Sequence, residues 1–273
     1  MKRTSKVLYI TAILLLTAVF LYAGGSLLKY GLESRESRNK YDSLANLGDA
    51  ARPTELEVTD ATAEPVSPWI TITDPATGDP IEILPEYAEA YVLNTDMVGW
   101  IAIDGTDISY PVVQTAVDNP DYYLYRDFYG QHDSHGCIYV REQCDVDKPS
   151  DNVVIYGHRM KDHTMFGQLA KYEDKSFWQE KQYIRFDTLK ERHTYQIVYV
   201  FITTASLGEG FEYHTFVDAR DTSDWNSFLM QCQKLSLYDT GLDIDHGDKL
   251  ITLSTCEYTQ ENGRLVVVAK RLD

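Results

Sequence analysis

From Trp100 to Arg271 the chain is a succession of short apolar runs separated by polar turns, and the runs are rich in β-branched and aromatic residues. Runs of that length and composition read as strands rather than helices. They fall at Trp100–Ile103, Ile108–Val113, Gly136–Val140, Asn152–Tyr156, Tyr183–Asp187, His193–Thr204, Lys249–Thr255 and Arg264–Arg271. Eight short strands broken by turns predict a mainly β fold, a closed or nearly closed barrel. Three stretches depart from the strand pattern and read as helices. Glu86 to Thr95 opens the domain, with Pro85 suited to a first helical turn. Met165–Tyr172 is the second. Thr222–Leu237 is the third, with Trp225, Phe228, Leu229, Cys232 and Leu235 recurring at helical spacing.

The N-terminus follows another pattern. Lys2, Arg3 and Lys6 precede Val7 to Leu28, a run of 22 residues without a charge. At 1.5 Å per residue such a run spans a bilayer. Its basic flank predicts a cytoplasmic tail (residues 1–6), a membrane anchor (7–28) and an exported remainder. A cleaved signal peptide is the competing reading, since Ala23-Gly24-Gly25 offers small residues for cleavage; the run is long for a signal core, which favours an anchor.

Between anchor and barrel the pattern loses its apolar period. Residues 44 to 98 carry eleven acidic residues against the single Arg52, and six of the nine prolines lie between Pro53 and Pro85. Such a composition buries little apolar surface, so residues 29–85 are expected to form a stalk, helical or extended from Lys29 to about Lys40 and an extended spacer beyond, with a small folded piece around Trp69–Thr73 as the alternative. Residues 86–273 then form the folded domain, long enough to bury a full core. The formal net charge of −17 speaks against nucleic acid and against anionic surfaces as partners. Four cysteines in an exported chain raise the question of disulfides. Cys232 reads as a small buried apolar residue, whereas Cys137 and Cys144 either pair or stay reduced. His132, His135, Cys137 and Cys144 match no zinc spacing, so no metal or cofactor is expected.

Chemistry concentrates at the ends of the strands. Cys256 closes the apolar strand Lys249–Thr255, and Arg264 opens the next one after an Asn262-Gly263 turn signal. Two adjacent strands joined this way bring a thiol and a guanidinium together. A nearby cation favours the thiolate, the nucleophilic form of cysteine, and an arginine can hold the negative charge that develops in acyl transfer. His158 follows the strand Asn152–Tyr156, with Gly157 expected to let the chain turn and expose the imidazole. Its ordinary pKa suits a group that protonates a leaving amine and later deprotonates an attacking one. The histidine precedes the cysteine, opposite to papain-like order, and no caspase-type box surrounds Cys256.

The segments Ile155-Tyr-Gly-His158, Thr252-Leu-Ser-Thr-Cys256 and Arg264-Leu-Val-Val-Val-Ala resemble the three boxes of sortases, the cysteine transpeptidases of Gram-positive surfaces, and class B members most of all. Val98-Gly-Trp-Ile101, Tyr110-Pro-Val-Val-Gln114, Tyr122-Tyr-Leu124 and Met165-Phe-Gly167 add to the resemblance, which covers residues 86 to 273. Cys137 departs from it, standing where a serine or other small residue is expected. The resemblance implies the sortase-type eight-stranded barrel with an N-terminal helix and an added helix between the late strands. It implies His158, Cys256 and Arg264 as the catalytic residues of a membrane enzyme in the thiol-protease class of hydrolases. In that reading a secreted protein's C-terminal sorting motif is cleaved after threonine, a thioester forms on Cys256, and an amine of a peptidoglycan precursor or a pilin resolves it.

Ser254 alternates with Cys256 along the strand and is expected on the same face, with Thr255 and Glu257 beside it as substrate contacts. Asn119, Tyr122 and Leu124 are expected in the wall of a class B groove. Two other functions use the same residues. One is a membrane-anchored cysteine endopeptidase with water as acceptor; the other is a non-catalytic wall-binding ectodomain in which Cys256 is merely buried.

Overall fold

The structure is a computed structural model, and it describes residues 2–51, 68–206 and 208–273. The chain divides into two compact units, Met1–Lys40 and Tyr41–Asp273. The first is the leading part of helix α1 (Lys2–Ala51). Its apolar run, Leu8, Leu16 and Phe20 among it, faces outward, and α1 is long and apolar enough by length and composition to cross a membrane. Two threonines in the run satisfy their hydroxyls by donating one turn back, Thr11 to Val7 O and Thr17 to Ile13 O, both at 2.9 Å.

The second unit starts earlier than residue 86. Tyr41 and Leu44, one helical turn apart, are both buried, and Tyr41 Oη donates to Gly136 O at 2.8 Å. The stalk expected over 29–85 is therefore partly barrel surface. Two side chains suffice to dock a turn, and an average over a polar segment hides them. Strands β1 (Ile70–Thr73) and β2 (Pro80–Ile83) form an antiparallel hairpin that realises the folded alternative around Trp69. Residues 52–67 of the expected stalk lie outside the described residues.

Helix α2 (Pro85–Leu93) has Pro85 in its first turn and delivers the chain to the barrel. The barrel strands are β3 (Met97–Ala102), β4 (Ser109–Gln114), β5 (Ile138–Val140), β6 (Asn152–Tyr156), β7 (Tyr183–Thr188), β8 (Thr194–Thr204), β9 (Leu250–Cys256) and β10 (Gly263–Arg271). They close in the order β10-β8-β7-β3-β4-β5-β6-β9, so the eight expected strands are the eight observed. Closure leaves no open sheet edge. Leu265 to Ala269 of β10 are all fully buried, which explains their unbroken apolar run. Each such side chain contributes about 1.5–3 kcal/mol of burial.

Two pairings are parallel, β4 with β5 and β6 with β9. A parallel pair cannot be joined by a tight turn, so its connection must cross over. The β4–β5 crossover carries the 3-10 turn Tyr122–Tyr125, and Gly136 seats it. At φ +58° a Cβ on Gly136 would lie 2.6 Å from Leu124 O. The helix expected at Met165–Tyr172 starts two residues later and is a 3-10 helix, Gly167–Glu173; Met165, at φ 53°, cannot belong to a right-handed helix and lies outside it. It leads to α3 (Lys175–Glu180), capped by Asp174 and unforeseen in the sequence. Helix α4 (Thr222–Leu235) lies between β8 and β9 in sequence. Asp221 caps it and Trp225, Phe228 and Cys232 are its buried face.

Candidate active site

Strand β9 sits between β6 and β10 and carries Cys256 at its last position. On one side the antiparallel ladder sets Cys256 directly opposite Arg264. Glu257 N–H donates to Gly263 O at 2.9 Å, so the pair before it occupies a narrow, non-hydrogen-bonded site where side chains approach closely. On the other side the parallel register aligns Tyr156 with Ser254. Gly157 N–H donates to Ser254 O, and Thr255 Oγ1 donates to Gly157 O at 2.8 Å. Carried on two residues beyond Tyr156 and Ser254, that register brings His158 alongside Cys256.

The three side chains share one cleft of about 210 Å³, lined also by Asp121, Leu124, Tyr139, Tyr156, Gly157, Ser254 and Thr255. All three are partly exposed, accessible to substrate while flanked by buried β-strand. His158 Nε2 lies 2.7 Å from Leu124 O. A carbonyl only accepts, so Nε2 carries a proton and donates it there, leaving Nδ1 as the nitrogen outside this bond. The Tyr125 ring packs beside the imidazole with centroids 5.7 Å apart. Arg264 donates to the carbonyls of Asn262 and Gly263, at 3.2 and 2.9 Å, which fixes its guanidinium over its own turn.

Gly157 does its work differently from the sequence expectation. It has no left-handed φ among the described residues; instead a Cβ there would lie 2.5 Å from Ile138 and 2.7 Å from Phe166. Close packing, not a turn, requires glycine before His158. The loop that follows is closed by an Arg159–Met165 bridge and by Phe166 N–H donating to His158 O at 2.9 Å.

Of the substrate contacts expected from sequence, Ser254, Thr255 and Leu124 line the cleft, and Asn119, Tyr122 and Glu257 do not. Glu257 is buried, and strand alternation turns it away from Cys256. Its carboxylate accepts Thr259 N–H at 2.8 Å and Thr259 Oγ1 at 2.7 Å. Burial raises the pKa of this group, but the Thr259 and Tyr258 hydrogen bonds and the charge of Arg159 outweigh it, and the net shift is downward. Tyr122 is engaged by the Arg126 guanidinium, 4.4 Å above its ring, and by an edge contact with Tyr123; Asn119 is exposed.

The sequence reading missed Asp121, Tyr139 and Tyr156 in the cleft, and Tyr213 beneath it. Tyr156 was legible, two positions before His158 and so on the same face. Tyr213 was not, since only the fold brings its hydroxyl within 2.6 Å of Ser254 Oγ. Burial pushes that phenol up to about 12, against the pull of the Ser254 bond and Arg264. Among the described residues all four cysteines are free; Cys137, Cys144 and Cys232 are buried, and only Cys256 is partly exposed.

A closed barrel that gathers a thiol, an imidazole and a guanidinium at one end is the architecture of a cysteine transpeptidase. A sequence model of the Sortase domain matches residues 101–272. The chain belongs to the sortase family. It is 30% identical to sortase B of Staphylococcus aureus over 190 residues, and 32% identical to sortase B of Listeria monocytogenes over 191, covering 69% of this chain and 75% of each relative. A Staphylococcus aureus sortase B–substrate complex superposes with a TM-score of 0.71 at 26% identity, and Bacillus anthracis sortase B in complex with AAEK1 with 0.68 at 29%. Each match covers 89% of this chain and 99% of the other. These relatives and structures are class B sortases, and the activity is that of a cysteine transpeptidase.

Proposed function

We propose that this sortase is held in the membrane by residues 7–28, with its N-terminus cytoplasmic, and joins secreted proteins bearing a C-terminal sorting signal to an amine at the cell surface. The observation that supports this most is the register of β6, β9 and β10, which gathers His158, Cys256 and Arg264 in one cleft.

In this reading Cys256 Sγ, its thiol proton passed to His158, attacks the carbonyl carbon after threonine in the sorting motif. The carbonyl π pair moves to oxygen, and Arg264 stabilises the resulting oxyanion. As the intermediate collapses, the C–N bond breaks and His158 gives a proton to the departing amine, leaving a thioester on Cys256. An amino group of a peptidoglycan precursor or pilin then attacks the thioester, His158 takes its proton, and Cys256 leaves as thiolate. With Nε2 held by Leu124, Nδ1 is the nitrogen that exchanges this proton. Ser254, Thr255 and Leu124 contact the bound peptide.

The test is incubation of the detergent-solubilised chain with threonine-containing sorting peptides, with and without an amine acceptor, followed by mass spectrometry. Ligated product that depends on the amine supports the reading. Hydrolysed peptide alone, whatever the amine concentration, identifies an endopeptidase instead.

A further inference from the structure

Tyr41 lies outside the cleft, yet it touches both supports of the His158 imidazole. It belongs to the compact unit Tyr41–Asp273 and is buried in it. Its hydroxyl has one proton, which goes to Gly136 O at 2.8 Å, since a carbonyl only accepts. Cys137 Sγ sits 3.3 Å from the same oxygen and, with the phenol proton already placed, is the donor of that contact. The cysteine that departs from the family pattern thus joins a buried hydrogen-bonded pair with α1.

From Tyr41 two routes converge on His158. The first reaches the ring. Cys137 N–H donates to Tyr123 O at 3.0 Å, and Gly136 packs so closely on the Tyr123 and Leu124 carbonyls that a Cβ would collide with both. Leu124 O in turn holds His158 Nε2. The second route reaches the backbone. The Tyr41 ring meets Tyr110 edge-on with centroids 5.4 Å apart, and Tyr110 Oη accepts Met165 N–H at 3.0 Å. Met165 has φ 53°, a conformation that persists only where its surroundings enforce it, and the next residue, Phe166, donates to His158 O.

We propose that Tyr41 is a positioning residue for His158. Its hydroxyl fixes the crossover that orients the imidazole, and its ring backs the loop that holds the histidine backbone. Both come from the same unbroken helix that carries the apolar N-terminal run. This rests on reading His158 as the acid and base of the reaction.

The test compares Tyr41→Phe, Tyr41→Leu and Ile83→Ala in the full chain in detergent. Tyr41→Phe keeps the ring and removes the hydroxyl; Tyr41→Leu removes both. Ile83 is fully buried beside the end of β7, away from β9 in the barrel order, so its truncation costs stability without touching either route. Ligation of the best-ligated sorting peptide gives kcat and KM. NMR of chain carrying isotope-labelled histidine reports the His158 ring nitrogens, assigned by their loss in His158→Ala.

Tyr41→Phe should lower kcat about fivefold to tenfold, the barrier equivalent of one hydrogen bond, with KM unchanged. Tyr41→Leu should lower it about 100-fold, the scale of a misplaced catalytic group. Both should shift the His158 nitrogens, Nε2 most, as its bond to Leu124 O weakens. Ile83→Ala should lower Tm and leave kcat and the signals in place. Unmoved His158 signals in both Tyr41 variants, a loss confined to KM, or a kcat loss no larger than in Ile83→Ala overturns the inference and leaves the transpeptidase reading intact. If the native chain ligates no peptide, that reading falls and the His158 signals alone decide the positioning.

Discussion

Cys256 and Arg264 face each other at a narrow position of the β9–β10 ladder, so the guanidinium reaches the sulfur's surroundings by strand register, not by loop placement. One of its nitrogens, Nη1, donates to the carbonyls of both Asn262 and Gly263. An ammonium at this site has no fork with which to hold those carbonyls and still face an oxyanion. Arg264→Lys is expected to lower kcat by about 100-fold with little change in KM, the size seen when one oxyanion donor is removed. Steady-state ligation kinetics check it, and near-normal kcat in the lysine variant would remove Arg264 from the oxyanion role.

Thiol chemistry separates catalysis from mere burial. Burial raises the thiols of Cys137 and Cys232 well above their ordinary range and pushes Cys144 up to about 11. Iodoacetamide at pH 8 should therefore modify one thiol per folded chain, and Cys256→Ala should take up none. Cys256→Ala and His158→Ala should each abolish ligation. Intact-mass measurement reads the first result and product analysis the second; more than one label on the native fold would contradict the burial of the other three.

Ser254 and Tyr213 share a buried hydrogen bond of 2.6 Å under the cleft. Removing one partner leaves the other's hydroxyl buried and unsatisfied, at a cost of about 1–3 kcal/mol. Ser254→Ala should lose that much unfolding free energy in a denaturant titration. Adding Tyr213→Phe to it should recover a large part, because neither polar atom is then stranded. Additive losses in the double variant would show that the two hydroxyls are not coupled.

Glu257 predicts a pH dependence. Its folded pKa is depressed, so the charged form is bound more strongly in the folded state than in the unfolded chain. That stability is present above the ordinary glutamate range and is lost as pH falls through the lower, folded value. Glu257→Gln should lower Tm at neutral pH by a few degrees, an effect of about 1 kcal/mol for a buried hydrogen bond of this kind. The gap between the two proteins should close below about pH 4, near the unfolded carboxylate range. Calorimetric scans from pH 3 to 8 check the direction; a gap that widens in acid would reverse the sign and refute the assignment.

The strands were legible because the apolar runs are more β-branched than the segments between them, and because β10 is buried on both faces. The helix expected from Met165 starts only at Gly167 and is 3-10, since the left-handed φ of Met165 leaves no mark on composition. Glu257 looked like a groove residue by proximity in sequence, yet one step along a strand reverses the face. Tyr41 and Leu44 escaped notice because two apolar residues leave almost no mark on a window average.

By itself the sequence determined the elements, the eight strands, the apolar N-terminal run and the chemical types at the strand ends, since those follow from local periodicity and residue chemistry. Only the tertiary structure decided that β6 runs parallel to β9 with Tyr156 level with Ser254, which places His158 beside a cysteine 98 residues away. It alone seated Asp121 and Leu124 in the cleft, through a crossover that parallel pairing of β4 and β5 requires. Register between distant strands depends on closing the barrel around one shared core, and no local window of sequence contains that constraint.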